Sequence, residues 1–236
     1  GMYLNFSTRK DEVVEMQVGL SYTSIENAKN NLLAEATGKT FDKVKNTAHQ
    51  KWNEKLGRIQ VEGKDSINKV KFYTGLYHAL LGRGSASDTN GQYIQHNGKI
   101  GQIALNSKGK PKYNHYNTDG IWGGFWNLGQ LWALAYPDYQ SEYIQSNLDF
   151  AKETGWLHDG VAAGAHSNGV QTNCFGLMIA ATYNCGIRDF DVEEAYQTAY
   201  KNETGYANRP FGSGKYDLAY FVKEGYIPSK DTILSN

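Results

Sequence analysis

At Thr23 the hydrophobic pattern of this chain changes period, and the change divides it into two kinds of structure. Before it, residues 12–20 read EVVEMQVGL, an alternating, β-branched stretch that predicts one half-buried strand. One strand has no ladder of its own, so it reads as the tail of a sheet whose earlier strands are absent. After it, apolar residues recur at intervals of three and four, which commits the rest of the chain to helices that each need one face covered.

Thr23-Ser24-Ile25-Glu26 has the form of a capping box, and Ile25, Ala28, Leu32, Leu33 and Ala36 follow on one face until Gly38 stops the helix. A second helix runs through Phe41, Val44, Ala48, Trp52 and Leu56, with Gly57 where a left-handed cap is expected; residues 58–62 are a candidate strand. Ile67, Val70, Tyr73, Leu76, Tyr77, Leu80 and Leu81 predict a third helix. Residues 82–120 then break into glycines, asparagines and two alternating pieces, 92–95 and 99–105, with the hairpin signal Asn97-Gly98 between them. Helical spacing resumes over 122–135, 137–151, 169–185, 192–200 behind a cap at Asp191, and 216–223. Helices paired in succession predict a mainly α fold of the α/α toroid or solenoid kind.

In a toroid the loops between helices gather at one end, so distant segments can share a pocket. Three such segments are rich in glycine, polar groups and aromatics: 87–93, 117–126, and 155–160 running on to 164–168. Their carboxylates are Asp88, Asp119 and Asp159, and a glycosidase needs two carboxyl groups of different pKa. Asp is equally a turn and cap residue, most plainly at Asp88. Trp122, Trp126 and Trp156 offer flat faces on which the C–H face of a sugar stacks, with core packing the alternative for Trp126 and Trp132. His158 and His166 stand among glycines, as candidate ligands or proton donors. The 17 Tyr, 9 Phe and 5 Trp suit either sugar platforms or a tyrosine-rich helical core.

Other chemistries find no footing. The 24 basic residues balance the 24 acidic ones, leaving no net positive field for nucleic acid. No apolar run reaches the roughly 18 to 20 residues of a membrane helix. The first ten residues lack the profile of a signal peptide, so localisation is not legible. Cys174 and Cys185 are too few for a disulfide scaffold or zinc ribbon and read as buried thiols. Nucleophile elbow, Walker loop and His-Glu-x-x-His are all missing, and Asp189-Phe190-Asp191 reads as a helix cap.

The order SYTSIENAKNNLLAEA, FDKVKNTAHQKWNEKLGRIQVEG, KFYTGLYHALL, SDTNGQY, GIWGGFWNLGQLWALAYPD, GWLHDG and YNCGIRDFDVEEAY resembles bacterial glycoside hydrolase family 92, the calcium-dependent exo-α-mannosidases. The resemblance implies a β-sandwich followed by an (α/α)6 barrel, and hydrolysis with inversion at the anomeric carbon. Residues 1–22 would then be the tail of the sandwich, 23–64 a helical linker, and 65–236 a partial (α/α)6 catalytic-type domain with a small hairpin region. The family's Trp-Asp-Thr-aromatic-Arg motif falls on Trp122, Gly123, Gly124, Phe125 and Trp126, which keeps the Trp and loses the Asp and Arg. Its general acid, a Glu in Gly-Asn-Glu-Thr, falls on His166, and its general base on a segment after Asn236.

The expected catalytic residues are His166, from the resemblance, and Asp119, from the loop carboxylates, with Asp88, Trp122, Trp126, Trp156, His158 and Asp159 lining a site for a glycan or small sugar. Calcium is implied as cofactor; Asp119 and Asn168 are available oxygens, and the ligand set is open. The expected partners are the remainder of the barrel or a second copy, and a periplasmic or extracellular location follows the family habit. The rival expectation is a non-catalytic carbohydrate-binding or interaction module derived from the same fold.

Overall fold

Three helices lead the chain: α1 (Ile25–Glu35), α2 (Phe41–Leu56) and α3 (Ser66–Leu80). The computed structural model describes residues 3–81, 84–118, 120–166, 172–210 and 218–227. Ser24, one residue later than the capping-box reading, caps α1 by accepting from the Asn27 N–H at 3.0 Å. Thr23 is spent on Asp88 instead. Gly57 closes α2 in right-handed geometry, with φ −71°, so the left-handed cap expected there does not form.

The segment 12–20 is largely exposed and is no strand, because no described strand pairs with it. Residues 58–62 likewise form no strand. The stripe on α3 is only partly used: Leu76 is buried, whereas Ile67 and Val70 are about two-thirds exposed.

The hairpin signal is realised as β1 (Gln92–Ile94) antiparallel to β2 (Ile100–Gln102), in the register Tyr93 opposite Gly101. Gly98 turns it at φ 78°, which costs a glycine little. The helix expected over 122–135 is broken into α4 (Ile121–Gly124) and α5 (Leu128–Ala135), since Gly123-Gly124 cannot sustain the first turns. α6 (Pro137–Thr154) starts on a proline at N1 and ends at left-handed Gly155, φ 83°. A second hairpin follows, β3 (Val161–Ala162) with β4 (Ala165–His166), then α7 (Cys174–Asn184), α8 (Val192–Thr204) and α9 (Leu218–Glu224). Asp191 caps α8 through the Glu194 N–H at 3.0 Å, as its sequence position predicts. Cys174 is half-buried and Cys185 exposed, so the expectation of buried thiols is not met.

The core lies where α5, α6, α7 and α8 meet, around Trp132, Tyr143, Ile144, Leu148, Phe175 and Met178, all almost wholly buried. α6 is the central element. Its carboxylates at 142, 149 and 153, spaced by seven and four, hold the loop region by its tyrosines: Tyr116 on Glu142 at 2.8 Å, Tyr113 on Asp149 at 2.7 Å, Tyr93 on Glu153 at 2.8 Å. Burial and these carboxylates push all three phenols well above their usual pKa.

Candidate functional site

Residues 117–122 and the β3–β4 hairpin are zipped together. The Thr118 N–H donates to the Val161 carbonyl at 2.8 Å, the Val161 N–H returns to Thr118 Oγ1 at 2.7 Å, and Asn117 Oδ1 accepts from the Ala163 N–H at 2.9 Å. Asp159 completes the join. Its carbonyl accepts the Ile121 N–H at 2.7 Å, and its carboxylate accepts from the Thr172 hydroxyl and from the Trp122 N–H. The first turn of α4 is thus capped by Asp159, whose carboxyl is raised in pKa by burial against those two donors. Gly120 is required here, because a Cβ would stand 2.7 Å from the Trp122 indole nitrogen.

On this platform Trp122 is half-exposed and Trp126 is 72 % exposed, with Phe125 tilted against Trp126 at 4.5 Å. One indole on α4 and a second two residues past its end, each with water-facing area to lose, can stack on a sugar ring. The packing alternative weighed for Trp126 does not apply; it does for Trp132, which is core.

A column of three imidazoles stands beside the same hairpin. A Cβ at Gly164 would meet the Ile94 and Gln95 carbonyls at 2.9 and 2.8 Å, so only glycine lets β3–β4 sit against the end of β1. That contact brings His96 to His166, ring centroids 4.6 Å apart, and His166 to His158 at 4.3 Å. Phe150 of α6 backs His96 and His158 edge-on. His96 is exposed, His166 half-buried and His158 buried. The His96 N–H donates to Glu153 at 3.2 Å, which fixes the backbone at the hairpin mouth. His158 is held neutral, its pKa lowered to about 3 by burial and then by the neighbouring His166 and His96.

The structure brings His158 and His166 together and sets Asp159 with Trp122, while Trp126 packs on Phe125. It separates the other expected members. Asp88 is a clasp rather than a sugar ligand: Asn31 donates to its Oδ1 at 2.8 Å, and Ser21, Thr23 and Asn27 donate to its Oδ2, so its lone pairs are taken by the chain leading into α1 and by α1 itself. Trp156 is no platform either. It is 6 % exposed, with Lys201 Nζ and the Arg209 guanidinium each 4.5 Å from its ring and Gly205 close on its edge. Asp119 and Asn168 lie outside the described residues. Sequence reasoning missed His96, whose signal was its place directly before the Asn97-Gly98 turn.

The calcium expectation finds no donor set among the described residues. No three His, Cys, Asp or Glu side chains there are grouped to hold a metal ion, and the buried carboxylates Asp88 and Asp159 already have partners. No helix among them is long and apolar enough to cross a membrane.

Comparison with known proteins adds three findings. A family model described as the glycosyl hydrolase family 92 catalytic domain matches residues 27–235. An uncharacterized secreted glycosidase of Arthroderma benhamiae is 25 % identical over 241 residues, covering 98 % of this chain and 26 % of the relative. The family GH92 inverting mannosidase of Bacteroides thetaiotaomicron superposes with a TM-score of 0.77 at 23 % identity, covering 89 % of this chain and 28 % of that one. A second GH92 α-mannosidase from that organism, also solved with mannoimidazole, gives 0.77 at 23 % identity over 88 % of this chain and 26 % of its own. The chain therefore spans about a quarter of the length of the relatives it matches. The likeness supports a mainly helical, partial α/α toroid with small hairpins.

Proposed function

This chain belongs to glycosyl hydrolase family 92, and from that premise we propose that it supplies the tryptophan-bearing wall of a site for terminal α-mannosides or a related glycoside in an inverting hydrolase. The observation that carries the reading is exposed Trp122, held on α4 by Asp159, with exposed Trp126 two residues past the end of that helix, both within the matched residues. Mannosidases among the similar structures, one of them with mannoimidazole bound, support the substrate class. Secretion of the fungal relative supports an exported protein.

In this reading the indoles take the apolar face of the sugar and exclude water from it, while water attacks the anomeric carbon opposite the departing oxygen. His166, on the β3–β4 hairpin, is the candidate donor to that oxygen; Asp119 remains a candidate as a carboxylate of the loop before α4. Titration with mannoimidazole, followed by tryptophan fluorescence, tests the wall. Saturable quenching is expected, weakened at least tenfold in Trp122→Ala and in Trp126→Ala; no quenching at millimolar ligand would overturn the reading.

A second reading, binding without turnover, is favoured by one contact. The Gly164 carbonyl lies 3.1 Å from His96 Nδ1, which places a proton on that nitrogen and leaves His166 Nδ1, 3.4 Å away, as an acceptor. An Nδ1 that accepts from His96 holds no proton to give a departing oxygen. Release of a phenol from an activated aryl α-mannoside decides between the two. With turnover, His166→Ala slows poor leaving groups far more than activated ones; quenching without any release favours the binding module.

A further inference from the structure

The imidazole column is where the end of β1 meets the β3–β4 hairpin. The His96 Nδ1 proton faces the Gly164 carbonyl at 3.1 Å, and the same nitrogen stands 3.4 Å from His166 Nδ1. One proton serves that pair of nitrogens, and a second would set N–H against N–H. Gly164 itself fits against the Ile94 and Gln95 carbonyls with no space for a Cβ, so the contact is close as well as polar.

His158 closes the column on its inner side. Its ring is 4.3 Å from that of His166, Phe150 packs edge-on to it at 5.4 Å, and only 4 % of the residue is exposed. No protein group among the described residues bonds either ring nitrogen, so a charge gained there has no acceptor to share it. The neighbouring carboxylates are engaged elsewhere. Glu153 of α6 accepts from the Tyr93 hydroxyl, the Gln95 amide and the His96 N–H, and Asp159 accepts from Thr172 and the Trp122 N–H. The charged forms that act on His158 are those of His166 and His96, and both oppose a charge on it.

We infer that His96, His166 and His158 form an acid-sensitive joint, closed while the inner ring is neutral and the outer pair shares one proton, and opened in acid so that the β3–β4 hairpin parts from the end of β1. Opening brings His158 to water, where it takes up a proton. Closed, its pKa is lowered to about 3 by burial and then by its two neighbours, against about 6.5 in water. Between those values the open form holds the extra proton, so closure weakens as pH falls, by about tenfold in the opening equilibrium per pH unit. Asp159, raised in pKa by burial, acts in the opposite sense, and only once pH falls into the carboxylate range. Because β4 carries His166, opening also releases that ring from the bond to His96.

Backbone hydrogen exchange of the full chain at pH 6.5 and 5.5, corrected for the intrinsic pH dependence of exchange, tests this without any glycan, so the mannoside reading stands or falls apart from it. Exchange over 93–96 and 158–166 should be about tenfold faster at pH 5.5. It should also be insensitive to 1 M urea, as local opening is, whereas exchange over 143–151 in α6 rises with urea. His158→Phe, a ring of similar size that cannot charge, should leave the rates over the joint flat between the two pH values. Equal acceleration in that variant, no acceleration in the parent, or urea-dependent exchange over the joint would overturn the inference. Should His158→Phe fail to fold, a proton NMR titration of the parent decides: the His158 ring signal should shift only well below pH 6.5, and titration near 6.5 would overturn it.

Discussion

Helices α1 to α3 and helices α5 to α8 carry comparably regular sequence patterns, yet the core draws on them very unequally, taking Leu76 alone as a fully buried apolar residue from the first set among the described residues. Trp132, Tyr143, Ile144 and Leu148 are 0 to 1 % exposed, while Ile25, Ile67 and Val70 on the leading helices are 65 to 91 % exposed. Hydrophobic periodicity marks a face that can be covered; it does not say what covers it. The leading helices reach the core through Leu76, with Leu56, Tyr73 and Leu80 partly buried against it, and polar devices add to that contact: the Asp88 clasp, Tyr136 donating to the Lys55 carbonyl at 3.0 Å, and Arg58 on Asp138. One region is fixed by extensive burial and the other by a narrow apolar contact with hydrogen bonds around it, and the two should fail differently.

The widest gap between them lies in matched truncations. Leu148→Ala empties a fully buried site on α6 and should cost about 2 to 5 kcal/mol. Ile67→Ala, at an equally periodic position on α3, should change stability by less than about 0.5 kcal/mol. Urea unfolding of both variants checks this, and similar costs would mean that α3 is covered in solution. The clasp comes next. Asp88→Ala leaves the donors of Ser21, Thr23, Asn27 and Asn31 without their shared acceptor, at a cost of about 2 to 4 kcal/mol confined to α1. Hydrogen exchange should accelerate over residues 25–35 and stay unchanged in α6; uniform acceleration would show that the two regions unfold as one.

Acid should act on the buried region first. His158 and His115 titrate at about 3 and about 4 in the folded chain, each lowered by burial, against about 6.5 when unfolded. Below pH 6.5 the unfolded state therefore holds more protons, so stability falls as pH falls toward the folded values. Each histidine should contribute a loss of about 1 kcal/mol between pH 6.5 and 5.5. The buried carboxyls Asp149 and Asp159 are raised in pKa, so they act in the opposite sense as pH falls further. Urea midpoints measured with chelator present should drop over this window, and by less in His158→Gln; a flat profile would refute the buried, neutral state of these rings.

How much of this the sequence disclosed depends on the range of the interaction. Local signals were legible: the Asn97-Gly98 hairpin, the Asp191 cap and the Pro137 start are settled by residues within a turn of each other. The resemblance to family 92 was legible as well, because motif order survives at low identity. Asp88 misled because its partners lie some 57 to 67 positions away, and a loop carboxylate looks the same whether it faces a sugar or a clasp. Trp156 misled for the same reason, its ring being covered by Lys201 and Arg209 from beyond α7. The tyrosine bias, open between sugar platforms and core, has a third use in Tyr93, Tyr113 and Tyr116, whose phenols dock on the carboxylates of α6. His96 could be paired with His166 only once both hairpins were in place.

The smallest effect sits on the seam between the regions and sharpens the comparison most. Arg58, just past α2, grips Asp138 at the start of α6 with both terminal nitrogens, at 2.6 and 2.9 Å, and reaches the Ala135 carbonyl at 3.3 Å. The pair holds the Asp138 carboxyl down to about 2, mainly through the Arg58 hydrogen bond. That side chain is 54 % exposed, so solvent screens the attraction and the shift overstates its worth. Arg58→Met should therefore cost about 0.5 to 1 kcal/mol, a bidentate pair being at the upper end for exposed bridges. Because Asp138 is the member lowered in pKa, the contribution is present above the usual carboxylate range and fades as pH falls toward 2. A double-mutant cycle with Asp138→Asn at pH 7, in low and high salt, isolates it. Coupling near zero would leave the Asp88 clasp and the Tyr136 hydroxyl as the polar ties between the regions, while coupling well above 1 kcal/mol would mean the seam is drier in solution than the exposure of Asp138 indicates.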